Sequence, residues 1–175
     1  MAATEKKNIW FHSSDDGIAP VTKNVLMAAS QGIYMPGAPA YICTSGTAKR
    51  CATSASSSTD SWSGFLLDTI TAEHAANDVV KMSMINTRCN YAVYVETSGT
   101  DAAATQAMVG DNGGLTVSAT TAQIGYTTYD TGNSYDAVTV QDLMYNLEPS
   151  RFALADAPGV LIVKFMAAAL NVEKA

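Results

Sequence analysis

Three cysteines, two histidines and a scatter of carboxylates are the residues here that could do chemistry, and their spacing decides which chemistry. No C-x-x-C and no H-E-x-x-H occurs, and His12 is far from His74 in sequence, so nothing has the spacing of a zinc site. Asp15-Asp16, Asp111-Asn112 and the acids of 130–136 could offer oxygens to calcium. Without EF-hand spacing they read as solvated turn acids. Ser45-Gly46 and Ser98-Gly99 lie in turns, no G-x-S-x-G elbow exists, and neither histidine is tied to a nucleophile. There is no G-x-x-x-x-G-K-[ST] and no G-x-G-x-x-G, and the glycine-rich 110–114 reads as a turn. Cys43, Cys51 and Cys89 cannot all pair within one chain, so buried free thiols are expected, although Cys43 and Cys51 could face each other across a hairpin. The expectation is a protein without catalytic residues, cofactor or metal: not an enzyme.

The elements that would position any site are short strands. Residues 40–44 and 48–53 flank Ser45-Gly46-Thr47, a hairpin signal. Residues 31–35 form a candidate strand closed by Pro36-Gly37, and 62–67 form another, with Gly64 marking a bulge or a close approach. Residues 79–85 alternate, with Val80, Met82 and Met84 on one face and Lys81 and Ser83 on the other. Residues 91–96 repeat the pattern with Tyr91, Val93 and Val95. Further strands are expected at 115–118, 124–129 and 138–143, the last with a bulge at Asp142 where the apolar phase shifts. Residues 160–166 read as a strand buried on both faces, in which Lys164 needs a partner or an exit to water. One short helix is expected at 101–108, capped by Asp101. The fold class is therefore mainly all-β: a small β-barrel or sandwich with an extended N-terminal arm (1–22), a single barrel-like domain (23–175), and at most one short helix.

Composition bounds the partners. Of the 175 residues, 47% are apolar and only 15% charged, enough for a core and too little charge for a disordered chain. Such a surface is consistent with lying against other subunits. The net charge of −6, with basic residues scattered, argues against direct nucleic-acid binding. The start shows no apolar signal region, and the most apolar stretch, 159–170, is too short to span a membrane and contains Lys164. Synthesis and folding in a cytosol, with no membrane partner, are expected. Within the arm, Ile9-Trp10-Phe11 form an apolar cluster that either tucks onto its own core or anchors the chain on a partner.

Residues 28–42 (AASQGIYMPGAPAYI) resemble the opening hairpin of tailed-bacteriophage head decoration proteins, in which an Ala-Ala-Ser-x-x-Ile-Tyr segment leads through a Gly turn into an apolar strand. Residues 64–68 (GFLLD) and 77–82 (NDVVKM) resemble the next part of that pattern, so the similarity covers roughly residues 25–85. The resemblance implies a trimeric β-barrel on the exterior of a virion capsid, clamping neighbouring major capsid protein subunits after shell expansion. An N-terminal arm often makes that contact, and Ile9, Trp10 and Phe11 become its candidates. Deletion of residues 1–20 is then expected to leave the barrel folded. A tail-tube or head–tail connector barrel is the alternative. A carbohydrate-binding β-sandwich is the second, and would show Trp62, Tyr126 and Tyr129 exposed on one face.

Overall fold

The computed structural model describes residues 9–29, 31, 36–43, 45–51, 62–68, 78–117, 127–132, 136–154 and 156–167. Twelve strands run through them: β1 (Trp10–Ser14), β2 (Thr22–Leu26), β3 (Pro39–Ile42), β4 (Ala48–Arg50), β5 (Gly64–Leu66), β6 (Val79–Met84), β7 (Cys89–Thr97), β8 (Thr100–Asp101), β9 (Asn112–Val117), β10 (Thr127–Asp130), β11 (Val138–Leu143) and β12 (Val160–Phe165). One α-helix, α1 (Met144–Leu147), and one 3-10 turn (Gln106–Met108) complete the described chain. The fold is mainly all-β.

The strands form two sheets. In the first, neighbours run β7-β10-β9-β11-β12, and β12 pairs back onto β7, so five strands close into a barrel. Only the β7–β10 pair in this ring is parallel. Alternation sorts the side chains: Tyr91, Val93 and Val95 of β7 point in with Leu161, Val163 and Phe165 of β12 and Val138 and Val140 of β11. The phase shift at Asp142 is a bulge, with pairing interrupted between Val140 and Asp142, and it returns Leu143 to the interior.

The second sheet runs β2-β6-β5-β3-β4. A parallel bridge, Met27↔Ala48, draws the end of β2 alongside β4 at the far edge. The sheet thus curls round its own core of Val25, Met27, Ala40, Leu66, Val80 and Met82. Gly64 is needed at its β5–β6 contact, where a Cβ would meet the Ser83 carbonyl and lie 2.8 Å from Met82 Cγ.

Alternation within β5 joins the two sheets. Leu66 enters the second core while its neighbour Phe65 enters the barrel core. There Phe65 meets the rings of Trp62, Tyr91 and Phe165 at 6.1, 5.7 and 5.9 Å between centroids. One apolar cluster therefore takes residues from both sheets.

The N-terminal segment is extended over Trp10–Ser14 and lies hydrogen-bonded along β7 as β1. Other expectations need correction. The helix expected at 101–108 is a short strand, β8, followed by a single 3-10 turn. Barrel contacts outbid the Ala-rich propensity there, since Ala102 N–H donates to Val95 O and its carbonyl accepts from Gly159 N–H. The turn expected at 110–114 starts at Gly110, which has φ 92°, but Asn112–Val117 is strand. Gly113 leaves room for the Tyr129 ring, which lies across it inside the barrel. The strand expected at 31–35 lies outside the described residues except for Gln31.

Candidate functional site

The polar candidates disperse. The hairpin register pairs Tyr41 with Lys49 and Ile42 with Ala48, so Cys43 and Cys51 stand at opposite ends of the β3–β4 ladder rather than facing each other. None of the three thiols is in a disulfide, and Cys51 and Cys89 are buried. Burial pushes the Cys89 thiol up. For Cys43 burial acts in the same direction, but hydrogen bonds with the Ser45 and Thr47 hydroxyls, at 3.0 and 3.1 Å, outweigh it and bring the thiol down to about 7. His12 is on β1 with Nδ1 3.1 Å from Ser13 Oγ, and His74 lies outside the described residues. No group of three potential metal ligands gathers among the described residues.

The turn acids hold the fold. Asp15 receives Lys164 Nζ at 2.7 Å, which is the partner that lysine needed. Asp16 accepts the Ile18 N–H at 3.0 Å, and this bond chiefly holds its carboxyl below the usual range. Asp130 accepts the N–H groups of Gly132 and Ser98 and the Thr116 hydroxyl.

The apolar candidates converge, but with divided roles. Ile9 is buried in the barrel cluster. Trp10 packs on the barrel's outer surface, 5.5 Å from the Tyr94 ring and against a cluster of Ala92, Met144, Val160 and Ile162. Phe11 is 37% exposed and meets Tyr91 edge-on at 6.4 Å. Opposite Phe11 the second sheet stands off, leaving an apolar groove of about 280 Å³. Its walls are Ile9, Trp10, Phe11 and Tyr91 on one side and Pro36, Gly37, Phe65, Leu67 and Ser83 on the other. Among the described residues β1 pairs only with β7, so its second edge borders this groove without a strand partner.

Beyond the groove the apolar surface continues along the outer face of the second sheet. Leu67 N–H donates to Lys81 O, and Val79 sits two residues along on the same face, opposite Leu26 across the β2–β6 pair. Leu26, Leu67 and Val79 are all exposed. Val79 is in phase with Lys81 and Ser83, and an apolar residue among the polar positions of an alternating strand is the signal that the sequence carries for this patch.

The aromatic platform that a carbohydrate site would require is not formed by the residues proposed for it. Trp62 and Tyr129 are buried, one between the sheets and one inside the barrel, and Tyr126 lies outside the described residues.

Comparison with protein-family models and with curated proteins finds no match to this chain.

Proposed function

We propose that the chain is a structural virion protein that binds the outer surface of a tailed-phage capsid as a trimer and stabilises the shell by clamping neighbouring major capsid protein subunits. The observation that carries this reading is the apolar surface beside β1 and along the second sheet: a groove between the two sheets, an edge of β1 that has no strand partner among the described residues, and the exposed side chains of Phe11, Leu67, Val79 and Leu26. The likeness of residues 28–42 and 64–82 to head decoration proteins supplies the class of partner.

The energetics follow from linkage. A protein that binds only the expanded lattice stabilises it by mass action. Repetition of one modest contact around a shell multiplies the effect. The docking contribution falls to Phe11 and its neighbours on the groove, while Ile9 and Trp10 hold β1 in place. Mixing the purified protein with expanded and unexpanded undecorated shells and sedimenting them tests the reading. Binding to expanded shells, lost in a Phe11→Ser/Leu67→Ser variant that keeps its fold, is the expected result. Failure of the folded protein to sediment with expanded shells refutes it.

A further inference from the structure

We infer that the groove beside β1 receives an extended peptide segment of a partner protein, which adds as a strand to the edge of β1 that no described strand pairs, and places alternate apolar side chains between the two sheets. The inference rests on the reading of this face as a docking surface, and names the form of what docks.

Three observations select this occupant. First, a strand edge leaves backbone N–H and C=O groups at alternate positions, and another extended backbone satisfies them most directly. The first sheet ends at β1 among the described residues. Second, the groove's volume of about 280 Å³ lies just below the roughly 300–1,000 Å³ typical of small-molecule pockets. Its lining is mostly apolar: the side-chain polar groups are the Ser83 hydroxyl, the Trp10 indole N–H and the Tyr91 hydroxyl, and the last already accepts the Asn86 N–H at 3.3 Å, so few groups are left to orient a small ligand. A strand's side chains on one face, spaced two residues apart, suit such a slot. Third, Lys81, two residues from Ser83 on the same face, is exposed; its carbonyl accepts the Leu67 N–H and its own N–H donates to the Asp68 carboxylate at 2.7 Å. Its ammonium makes no ion pair with a described residue. An acidic residue in the incoming segment, next to its apolar positions, complements it.

The bulge in β1 opposite β7, between Phe11 and Ser13, limits the reach of such pairing. Bulges twist an edge and discourage indiscriminate strand addition. Recognition is therefore concentrated at Phe11, where the groove supplies side-chain selectivity.

The test is a selection of random linear dodecapeptides on the immobilised full chain. The enriched sequences are then made synthetically and followed by amide hydrogen exchange. The expected result is a family with apolar residues at alternate positions and an acidic residue beside them, slowing exchange within Trp10–Ser14. Affinity should fall by roughly tenfold or more in Phe11→Ser and Leu67→Ser. Lys81→Glu, an exposed change that leaves both cores untouched, should shift the selected family from acidic to basic. The inference is overturned by peptides without alternation, by protection confined to other strands, or by equal binding to wild type and both groove variants. Self-association of the peptide-free chain with Trp10–Ser14 already protected also overturns it, in favour of a second copy as occupant. Failure here with intact shell sedimentation removes only the strand-addition step. Peptide binding at β1 without shell sedimentation removes the capsid reading instead.

Discussion

Ile9, Trp10 and Phe11 are consecutive, yet their truncation to alanine should have three different consequences. Ile9 is 3% exposed and its neighbours are strands fixed by the barrel, so Ile9→Ala leaves a cavity and should cost about 3 kcal/mol. Trp10 loses its packing on Tyr94 and the outer cluster but is half-buried, so Trp10→Ala should cost about 2 kcal/mol, below the range for a fully buried tryptophan. Phe11 already meets water over a third of its surface and faces an open groove. No closed cavity forms on truncation, and Phe11→Ala should cost about 1 kcal/mol. For a chain of this size each kcal/mol moves the melting midpoint by about 2–4 °C, so Ile9→Ala should melt roughly 6–12 °C lower and Phe11→Ala only about 2–4 °C lower. Urea titration followed by far-UV circular dichroism gives the free energies, and shell sedimentation at a temperature where all variants are folded gives the docking effect. Ile9→Ala and Trp10→Ala should then bind shells nearly normally, and Phe11→Ala should not. Equal destabilisation by Ile9→Ala and Phe11→Ala, or a normal shell affinity for Phe11→Ala, would refute the division of labour. The same geometry overturns the expectation that residues 1–20 can be removed without harm. That deletion takes away β1, the buried Ile9 and Asp15, and should destabilise the barrel.

Three further outcomes follow from the packing. Phe65→Ala empties the junction between the sheets and should cost about 3–5 kcal/mol in urea unfolding; a loss below about 1 kcal/mol would mean the sheets do not depend on that aromatic cluster. Gly113→Ala would put a Cβ 2.6 Å from Tyr129 Cε2 and should cost about 2–3 kcal/mol, partly recovered in the Gly113→Ala/Tyr129→Leu double variant; strictly additive effects would contradict the contact. Cys43 should react with iodoacetamide in native protein with a pH midpoint near 7, its thiolate fraction rising as pH increases, while Cys51 and Cys89 react only after unfolding. Removing the Ser45 and Thr47 hydroxyls should raise that midpoint towards the ordinary value of 9.0; an unchanged midpoint would dismiss those hydrogen bonds as the cause.

The strands were legible wherever one side of the chain is buried and the other is wet. Residues 79–84 show this in alternation, and the slip at Asp142 announced its bulge; in 91–96 the second side is not wet, since Ala92 is buried and Tyr94 packs against Trp10. Lys164 in an apolar run announced a missing partner, though not that the partner would be Asp15, 149 residues away in sequence. Glycines misled where close approach to a distant ring, rather than local backbone freedom, was the reason for them, as at Gly113. The alanines of 102–104 misled because local helix propensity is worth tenths of a kcal/mol per residue, less than the hydrogen bonds a closing barrel offers the same backbone.

By itself the sequence determined that the chain would be built from short pleated strands, and that Ile9, Trp10 and Phe11 form one apolar cluster, because side-chain alternation and apolar clustering are local properties. The tertiary structure decided that the strands form two curled sheets sharing one aromatic junction. It also decided that Ile9 faces inward, Trp10 lies on the barrel wall, and Phe11 opens onto a groove. The reason is that a strand's two faces are assigned only when its edge is paired. Here β7, some eighty residues downstream, does the pairing.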